Sequence, residues 1–301
     1  MQYRELISVI DKTKEEISFQ GANVVSRLSK LFGTLNKELQ YKKINTSLSE
    51  EVCKNLVDIV KASLSGKRNE AFKLLYDTYF EGENISRLNI VNYEAEEKKR
   101  KSFYRIRNSQ EYVQYGRDEM YHIPFEKNHL VGNERFSTTG VPTLYLSSSI
   151  YGCWEETGRG NLDYANVVLF KNTQKISLIN LTNPPENLLV CNDNVLLAFL
   201  LLLSTSLKVA RPKEKFIPEY IIPQLLMECL IAYRSKMPDL LGIEYKSVHQ
   251  NKRDLMFTEE DKSDLFTNYA IPPYEYQLEG ICPTLKKIFE YWESTSWARL
   301  Q

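Results

Sequence analysis

Residues 135–146 of this 301-residue chain contain the pattern from which the fold can be worked out. They read Arg135-Phe136-Ser137-Thr138-Thr139-Gly140-Val141-Pro142-Thr143-Leu144-Tyr145-Leu146. The final three residues are apolar or aromatic, a glycine and a proline precede them, and three serines follow. Such turn signals on both sides predict a short buried strand. A helix capped by a serine should then begin at Ile150 and reach Glu156 about two turns later.

A cation and a carboxylate therefore lie on either side of the predicted strand. Arg135 comes just before the turn, and Glu156 lies in the helix. This placement could put the two charges on opposite walls of one cleft. Ordinary surface charges are the alternative, and most charged residues are of that kind.

Further motifs surround this block, and together they resemble the RES domain, a family named for arginine, glutamate and serine. The resemblance covers the chain from Phe103 onward, and it depends on the order and spacing of the motifs. They are Phe103-Tyr104-Arg105, Tyr121-His122-Ile123-Pro124-Phe125, the block 135–145, Trp154-Glu155-Glu156, Gly242-Ile243-Glu244-Tyr245-Lys246-Ser247 and Asn268-Tyr269-Ala270-Ile271-Pro272-Pro273.

The resemblance implies an α+β fold with an ADP-ribosyltransferase-like split β-sheet core and flanking helices. The cleft of such a sheet binds NAD, and the resemblance implies that NAD is the substrate of this protein. Members of the family act as toxins that deplete NAD or ADP-ribosylate a target, and a protein antitoxin commonly neutralises them. We therefore expect a bacterial toxin or defence enzyme that cleaves the nicotinamide–ribose bond, with an antitoxin or regulatory protein as its partner.

The resemblance also implies roles for single residues. Cleavage passes through an oxocarbenium-like state, which a nearby carboxylate stabilises, and Glu156 is the candidate. A pyrophosphate favours the bidentate geometry of arginine, so Arg105 and Arg135 are assigned to catalysis and to NAD binding. His122, Tyr145 and Ser247 complete the predicted NAD-binding set. Tyr145 could stack on the nicotinamide ring or be a core tyrosine.

Two of these assignments require a choice between neighbours. Arg105 and Arg107 would share one face of a strand, and Arg105 is preferred. Glu155 and Glu156 would point about 100° apart on a helix, so only one can face a cleft. The spacing from Tyr145 in the family pattern favours Glu156.

The N-terminal part has a different pattern, with apolar residues at helical spacing. Leucine and valine stripes recur every three or four residues from Val24 to Leu39 and from Val52 to Leu64. Ser47 and Glu50 could form a capping box before the second stripe. A charged run at 94–101 then separates this part from the motifs. We expect an all-α bundle over residues 1–95, with a partner-binding or regulatory role, and a catalytic domain over 96–301.

Composition excludes several other classes of protein. Lysines plus arginines number 39, as do aspartates plus glutamates, so the formal net charge is zero and gives no electrostatic reason to bind nucleic acid or an anionic membrane. The five cysteines form no Cys-x-x-Cys pair, which argues against a zinc site and a disulfide framework, and no metal is expected.

Localisation is predicted from what the sequence lacks. The N-terminus has no apolar region of a signal peptide. The long apolar run at residues 195–203 spans nine residues, whereas a bilayer requires about 20. We therefore expect a buried helix at 195–203, another from Gln224 to Tyr233, and a cytoplasmic protein that could form oligomers.

Two other functions compete with NAD cleavage. Arg117 and His122 fit the Arg-x4-His pattern of HEPN-type ribonuclease toxins, although Pro124 follows so closely that a continuous helix is disfavoured. The other alternative is a non-catalytic module that binds a partner through its N-terminal helices.

Overall fold

The computed structural model describes residues 23–43, 45–111, 113–182, 193–211, 214–247 and 265–296. Residues 293–296 are described by their backbone only. The α-helices of these ranges are α1 Val24–Tyr41, α2 Ser47–Leu64, α3 Arg68–Tyr79, α4 Ile150–Glu156, α5 Asp193–Thr205, α6 Ile221–Tyr233 and α7 Pro283–Ile288. The strands are β1 Ile90–Tyr93, β2 Ser102–Asn108, β3 Leu144–Ser147, β4 Ala165–Asn172, β5 Ile176–Leu181, β6 Leu240–Lys246, β7 Thr267–Ile271 and β8 Phe289–Ser296. They form two compact units.

The sheet unit comprises the described residues of 90–132, 137–182 and 234–301. Its eight described strands form one sheet in the order β1-β5-β6-β7-β3-β2-β4-β8. β5 and β6 run parallel, and every other neighbouring pair among the described strands is antiparallel. A mixed sheet together with helices confirms the predicted α+β class, and the predicted strand and capped helix at 144–156 are β3 and α4.

The junction between β2 and β3 is the shortest pairing of the described sheet. These strands pair at one position, Tyr104 with Ser147, whereas β2 pairs with β4 along all of Ser102–Asn108. Beyond Tyr104 the two strands no longer form a ladder. The resemblance predicted a split sheet, and this is where the continuous sheet comes closest to dividing; the likeness to ADP-ribosyltransferases stays a prediction.

The two faces of the sheet contain different apolar clusters. Phe103, Leu146 and Tyr269 belong to the large cluster that α7 helps to cover. Ile106 belongs to a smaller cluster on the other face, where it packs with Cys153 of α4. The alternation of side chains along β2 produces this division.

Helix α4 begins with the predicted serine cap and lies very close to the sheet. The Ser149 hydroxyl oxygen accepts a hydrogen bond from the Gly152 backbone N–H at 2.9 Å, and it donates to the Leu265 carbonyl at 2.6 Å. A Cβ atom on Gly152 would lie 2.4 Å from Ser147 Oγ and 2.7 Å from the Leu265 carbonyl oxygen. Only glycine therefore allows the helix to approach β3 this closely.

The helical unit comprises the described residues of 1–89, 133–136 and 183–233. Within it α2 packs against α1, α3, α5 and α6, and α3 packs against α6. Almost every residue of α5 and α6 is buried, so both helices are apolar on all sides. The apolar stripes of the N-terminal helices thus meet partners from much later in the same chain.

This division differs from the expected one at residue 95. The charged run lies near the end of the first block of helices, but residues 133–136 and 183–233 belong with that block as well. The reason is that α5 and α6 are too apolar to stay exposed and are buried against earlier helices. The independence of residues 1–95 stays a prediction.

Two helix starts were predicted wrongly, one by three residues and the other by one. Helix α6 begins at Ile221 instead of Gln224, because Pro223 fits within the first turn, where its missing N–H breaks no helical bond. Helix α2 begins at Ser47 itself, and the acidic partner Glu50 accepts a hydrogen bond from the Thr46 hydroxyl at 2.7 Å. No helix in the described ranges is both long and apolar enough to cross a membrane.

Gly152→Ala should destabilise the sheet unit by about 1 to 3 kcal/mol, because the new methyl group would overlap Ser147 and the Leu265 carbonyl. The control is Gly33→Ala in α1, where nothing lies within 4 Å of the added Cβ and the change should stabilise by about 1 kcal/mol. Urea unfolding followed by circular dichroism measures both changes. Equal effects from the two variants would show that α4 has room to move.

Candidate active site

The carboxylate of Glu156 is held by two neutral side chains of the sheet unit. Asn268 Nδ2 donates a hydrogen bond to Glu156 Oε1 at 2.7 Å, and the Ser247 hydroxyl donates to the same oxygen. Glu156 is exposed, whereas Ser247 and Asn268 are 6% and 3% exposed. The carboxylate thus faces solvent while its orientation is fixed from below, as a group that acts on a ligand requires.

Strand register explains why these three residues meet. Asn268 in β7 is the partner of Ser147 in β3 and of Tyr245 in β6. The side chains of Ser147, Tyr245 and Asn268 therefore lie on one face of the sheet. Ser247 follows β6 directly, and its N–H continues the ladder by bonding the Phe266 carbonyl at 2.9 Å. Helix α4 covers this face and ends at Glu156.

The neighbouring acid, Glu155, has a different environment. It is 7% exposed and forms an ion pair at 2.7 Å with Arg159, one turn further along the chain. The two adjacent glutamates therefore point in different directions, as the helical geometry predicted. Glu156 is the acid that the structure brings to Ser247.

Arg105 and Arg107 lie on the same strand and contact one short segment. Arg105 donates to the Met120 carbonyl at 2.9 Å, and Arg107 donates to the Glu119 carbonyl at 2.6 Å. The Arg107 guanidinium also lies over the ring of Tyr115, 4.3 Å from its centre. Burial lowers the pKa of Arg105 to about 10, so it remains charged at neutral pH.

Cys153 lies within electrostatic reach of both Arg105 and Glu156. Burial is the main influence on this thiol and raises its pKa to about 12, with Arg105 acting against the shift and Glu156 adding to it. The thiol donates a hydrogen bond to the Tyr104 carbonyl at 3.1 Å. Cys153 is therefore a neutral core residue, and it is unsuited to be a nucleophile.

Tyr145 is half-buried on β3, and its phenol lies 2.8 Å from the Ser137 hydroxyl. Ser137 is almost fully buried, so it fixes the direction of the phenol. Near α4 there is also a pocket of about 490 Å³ whose walls are mainly apolar and aromatic. It is lined by Tyr104, Ser148, Ser149, Ile150, Tyr151, Trp154, Leu162 and Leu265.

Arg135 belongs to the helical unit, where its surroundings are backbone and ring. Its Nη1 donates to the carbonyls of Thr205 and Leu207 at 2.8 and 3.1 Å, and its guanidinium lies 5.1 Å from the centre of the Tyr220 ring. A cation at the end of α5 satisfies helix carbonyls that lack partners and favours the helix dipole. In the described structure Arg135 therefore stabilises α5.

His122 lies in the core with both ring nitrogens bonded to backbone. Nε2 accepts the Cys282 N–H at 2.9 Å, so the proton is on Nδ1, which donates to the Ile123 carbonyl at 2.7 Å. The residue is 1% exposed. The structure thus does not bring His122 to Glu156 as a ligand-binding group. Arg117 precedes a 3₁₀ turn at Asp118–Met120, so it and His122 do not share the continuous helix of the ribonuclease pattern.

Comparison with known proteins shows the family of the chain. Residues 102–279, more than half of the chain, match the RES domain. The chain is also similar to a protein of Bacillus subtilis (strain 168) named putative toxin YopC, with 31% identity over 218 residues. This similarity covers 66% of the present chain but 47% of that relative, so the chain spans about half of its length. No solved structure matches the chain.

The chain belongs to the RES-domain family. The resemblance inferred from the order of the motifs is thereby confirmed. Asn268 was part of a quoted motif but received no role. The signal that could have identified it is a single amide in a strand whose remaining residues, Thr267–Ile271, are mostly apolar or aromatic. The described residues contain no group of three or more His, Cys, Asp or Glu side chains that could hold a metal ion.

The buried His122 predicts a loss of stability in mild acid. Burial lowers its pKa below the usual value, so as the pH falls through about 6.5 the unfolded chain binds a proton that the native state does not. The free energy of unfolding should therefore fall there, by at most about 1.4 kcal/mol per pH unit. His122→Gln should remove this part of the slope.

Urea unfolding between about pH 5 and 7.5 measures this slope, with His129→Gln as the control because His129 is exposed. The control should keep the slope of the original chain. If His122→Gln has that same slope, protonation of His122 is not linked to unfolding.

Proposed function

We propose that this protein is an RES-family toxin that cleaves the bond between nicotinamide and ribose in NAD. The observation that supports this most directly is the exposed Glu156 carboxylate, held from below by Ser247 and Asn268. Membership of the RES family and the name of the Bacillus subtilis relative support the toxin class.

The chemistry requires a fixed negative charge near the reacting sugar. When the bond breaks, its electron pair leaves with the pyridinium nitrogen, nicotinamide departs neutral, and positive charge develops on the ribose. A carboxylate oriented before the reaction stabilises that charge without reorganisation, which is the role we assign to Glu156. Water, phosphate or a protein side chain then captures the ADP-ribosyl group, and the product identifies which.

Phosphate recognition is assigned to arginine. Arg105 follows Tyr104 in β2, and the Tyr104 carbonyl accepts a hydrogen bond from Cys153 of α4, the helix that ends at Glu156. We propose that Arg105 binds the pyrophosphate and that Tyr145, oriented by Ser137, contacts the nicotinamide or its ribose. Arg135 remains a second candidate for phosphate binding, in addition to its contacts with α5.

The partner of such a toxin would be a protein antitoxin. Residues 1–95, which precede the family match at 102–279, are the part of the chain that we propose for partner binding or regulation. The ribonuclease alternative needs an accessible histidine beside Arg117. His122 is buried and bonded through both nitrogens, so no observation favours this alternative.

Glu156→Gln should retain the fold and lose NAD turnover by a factor of about 100 or more, because the developing charge loses its carboxylate. Glu155→Gln is the matched control on the next residue. It breaks an ion pair worth about 0.5 kcal/mol and should retain turnover. Loss of NAD and release of nicotinamide are measured by chromatography, and cleavage of total RNA is followed in parallel.

The reverse pattern, an active Glu156→Gln and an inactive Glu155→Gln, would assign the catalytic role to Glu155. RNA cleavage without NAD loss would replace the proposed function by the ribonuclease alternative. Formation of free ADP-ribose, its 1-phosphate or labelled protein distinguishes the three acceptors.

Arg105→Ala should weaken NAD binding about 10- to 100-fold, because a charge-assisted contact to phosphate contributes about 1.5 to 3 kcal/mol. Arg107→Ala is the control, since it removes an equivalent charge and a similar backbone contact from the same strand. Calorimetry measures both affinities. Equal losses in the two variants would indicate a general effect of positive charge and would remove the specific role of Arg105.

A further inference from the structure

Asn268 uses one end of its amide to hold Glu156, and this fixes the direction of the other end. A carboxylate only accepts hydrogen bonds, so the nitrogen of the Asn268 amide must face Glu156. Its oxygen, Oδ1, then points away from the carboxylate. Oδ1 is buried and has no hydrogen-bond partner among the described residues.

An unsatisfied buried amide oxygen is costly. Leaving such a group without a partner costs about 1 to 3 kcal/mol, and such groups are rare in native proteins. Pairing with Ser147 in β3 and Tyr245 in β6 holds the backbone of Asn268, and rotating its side chain towards another donor would break the hydrogen bond to Glu156. The choice of asparagine is therefore explained if Oδ1 has a partner that arrives from outside the chain.

We propose that Asn268 is a further ligand-binding residue, in which Nδ2 orients the Glu156 carboxylate and Oδ1 accepts a hydrogen bond from a neutral donor of the ligand. The ligand would have an amide N–H or a hydroxyl group next to the position that Glu156 acts on. The identity of that ligand rests on the proposed function. In NAD the two sources of such a donor are the carboxamide of nicotinamide and the hydroxyl groups of its ribose.

The experiment compares three substrates on the full chain and two variants. Asn268→Leu keeps approximately the shape and removes both polar atoms. Asn268→Asp keeps an acceptor at the Oδ1 position but replaces the donor by a second negative oxygen that faces Glu156. The substrates are NAD, its nicotinic acid analogue without the amide N–H, and its analogue without the 2′-hydroxyl of the nicotinamide ribose. Asn92→Leu on β1, at the edge of the described sheet, is the control substitution.

The original chain should prefer NAD over one of the two analogues by about 5- to 100-fold in kcat/KM, because that analogue leaves Oδ1 unpaired. Asn268→Leu should lose this preference. Its ratio of kcat/KM between NAD and the other analogue should stay as in the original chain. Asn268→Asp should retain the preference but lose kcat, because repulsion displaces Glu156. The analogue that is discriminated against identifies the donor, and Asn92→Leu should behave as the original chain does.

Identical substrate ratios in the original chain and Asn268→Leu would overturn the proposal, because Oδ1 would then contact neither donor. If NAD is bound but not cleaved, the proposed function fails. Asn268 is then tested by the ratios of the dissociation constants of NAD and its analogues instead of the ratios of kcat/KM. If the chain neither binds nor cleaves NAD, both the function and this inference are wrong. The outcomes therefore separate a failure of Asn268 from a failure of the reaction.

Discussion

The close approach of helix α4 to strand β3 at Gly152 is the constraint on which the candidate site depends. A side chain at this position would meet Ser147 and the Leu265 carbonyl at distances below those of ordinary contacts. The glycine lets the helix backbone lie directly on the sheet, and the Ser149 cap joins the helix start to the same carbonyl. The last residue of the helix, Glu156, then reaches side chains that belong to β7 and to the end of β6. Its position is thus set by a helix and two strands, which are more rigid supports than a loop.

The short β2–β3 pairing has a complementary effect. Along a full ladder, backbone groups are satisfied by the neighbouring strand and side chains fill the two faces. Here pairing between the described parts of β2 and β3 is confined to Tyr104 and Ser147, and Arg105, the next residue, bonds the carbonyl of Met120 in a 3₁₀ segment. A sheet that opens in this way can place a charged side chain near its centre. Burial removes part of the hydration of Arg105 and thereby lowers its pKa. A guanidinium group tolerates this better than an ammonium group, because it is more weakly hydrated.

Local signals in the sequence were sufficient to predict β3 and α4, because turn residues and a serine cap act within a few positions. The meeting of Glu156 with Ser247 was expected only from the resemblance, since 91 residues separate them and no local pattern relates them. Asn268 had a place in a motif but no role, because its role arises from strand register. The surroundings of His122 could not be predicted for a similar reason, because the N–H that its ring accepts belongs to Cys282, 160 residues further along the chain. Side chains whose partners lie far along the chain cannot be assigned from spacing alone.

The parallel pairing of β5 and β6 explains why the helical unit cannot be confined to the N-terminal region. Parallel neighbours need a crossover connection, and here the connection includes α5 and α6, which lie inside the RES match at 102–279. Both helices are apolar on all sides and would be insoluble without cover. The early helices α2 and α3 provide that cover within one compact unit. The N-terminal helices therefore complete the burial of a segment of the family domain itself, and any role in binding a partner must be exercised through the surfaces that this packing leaves exposed.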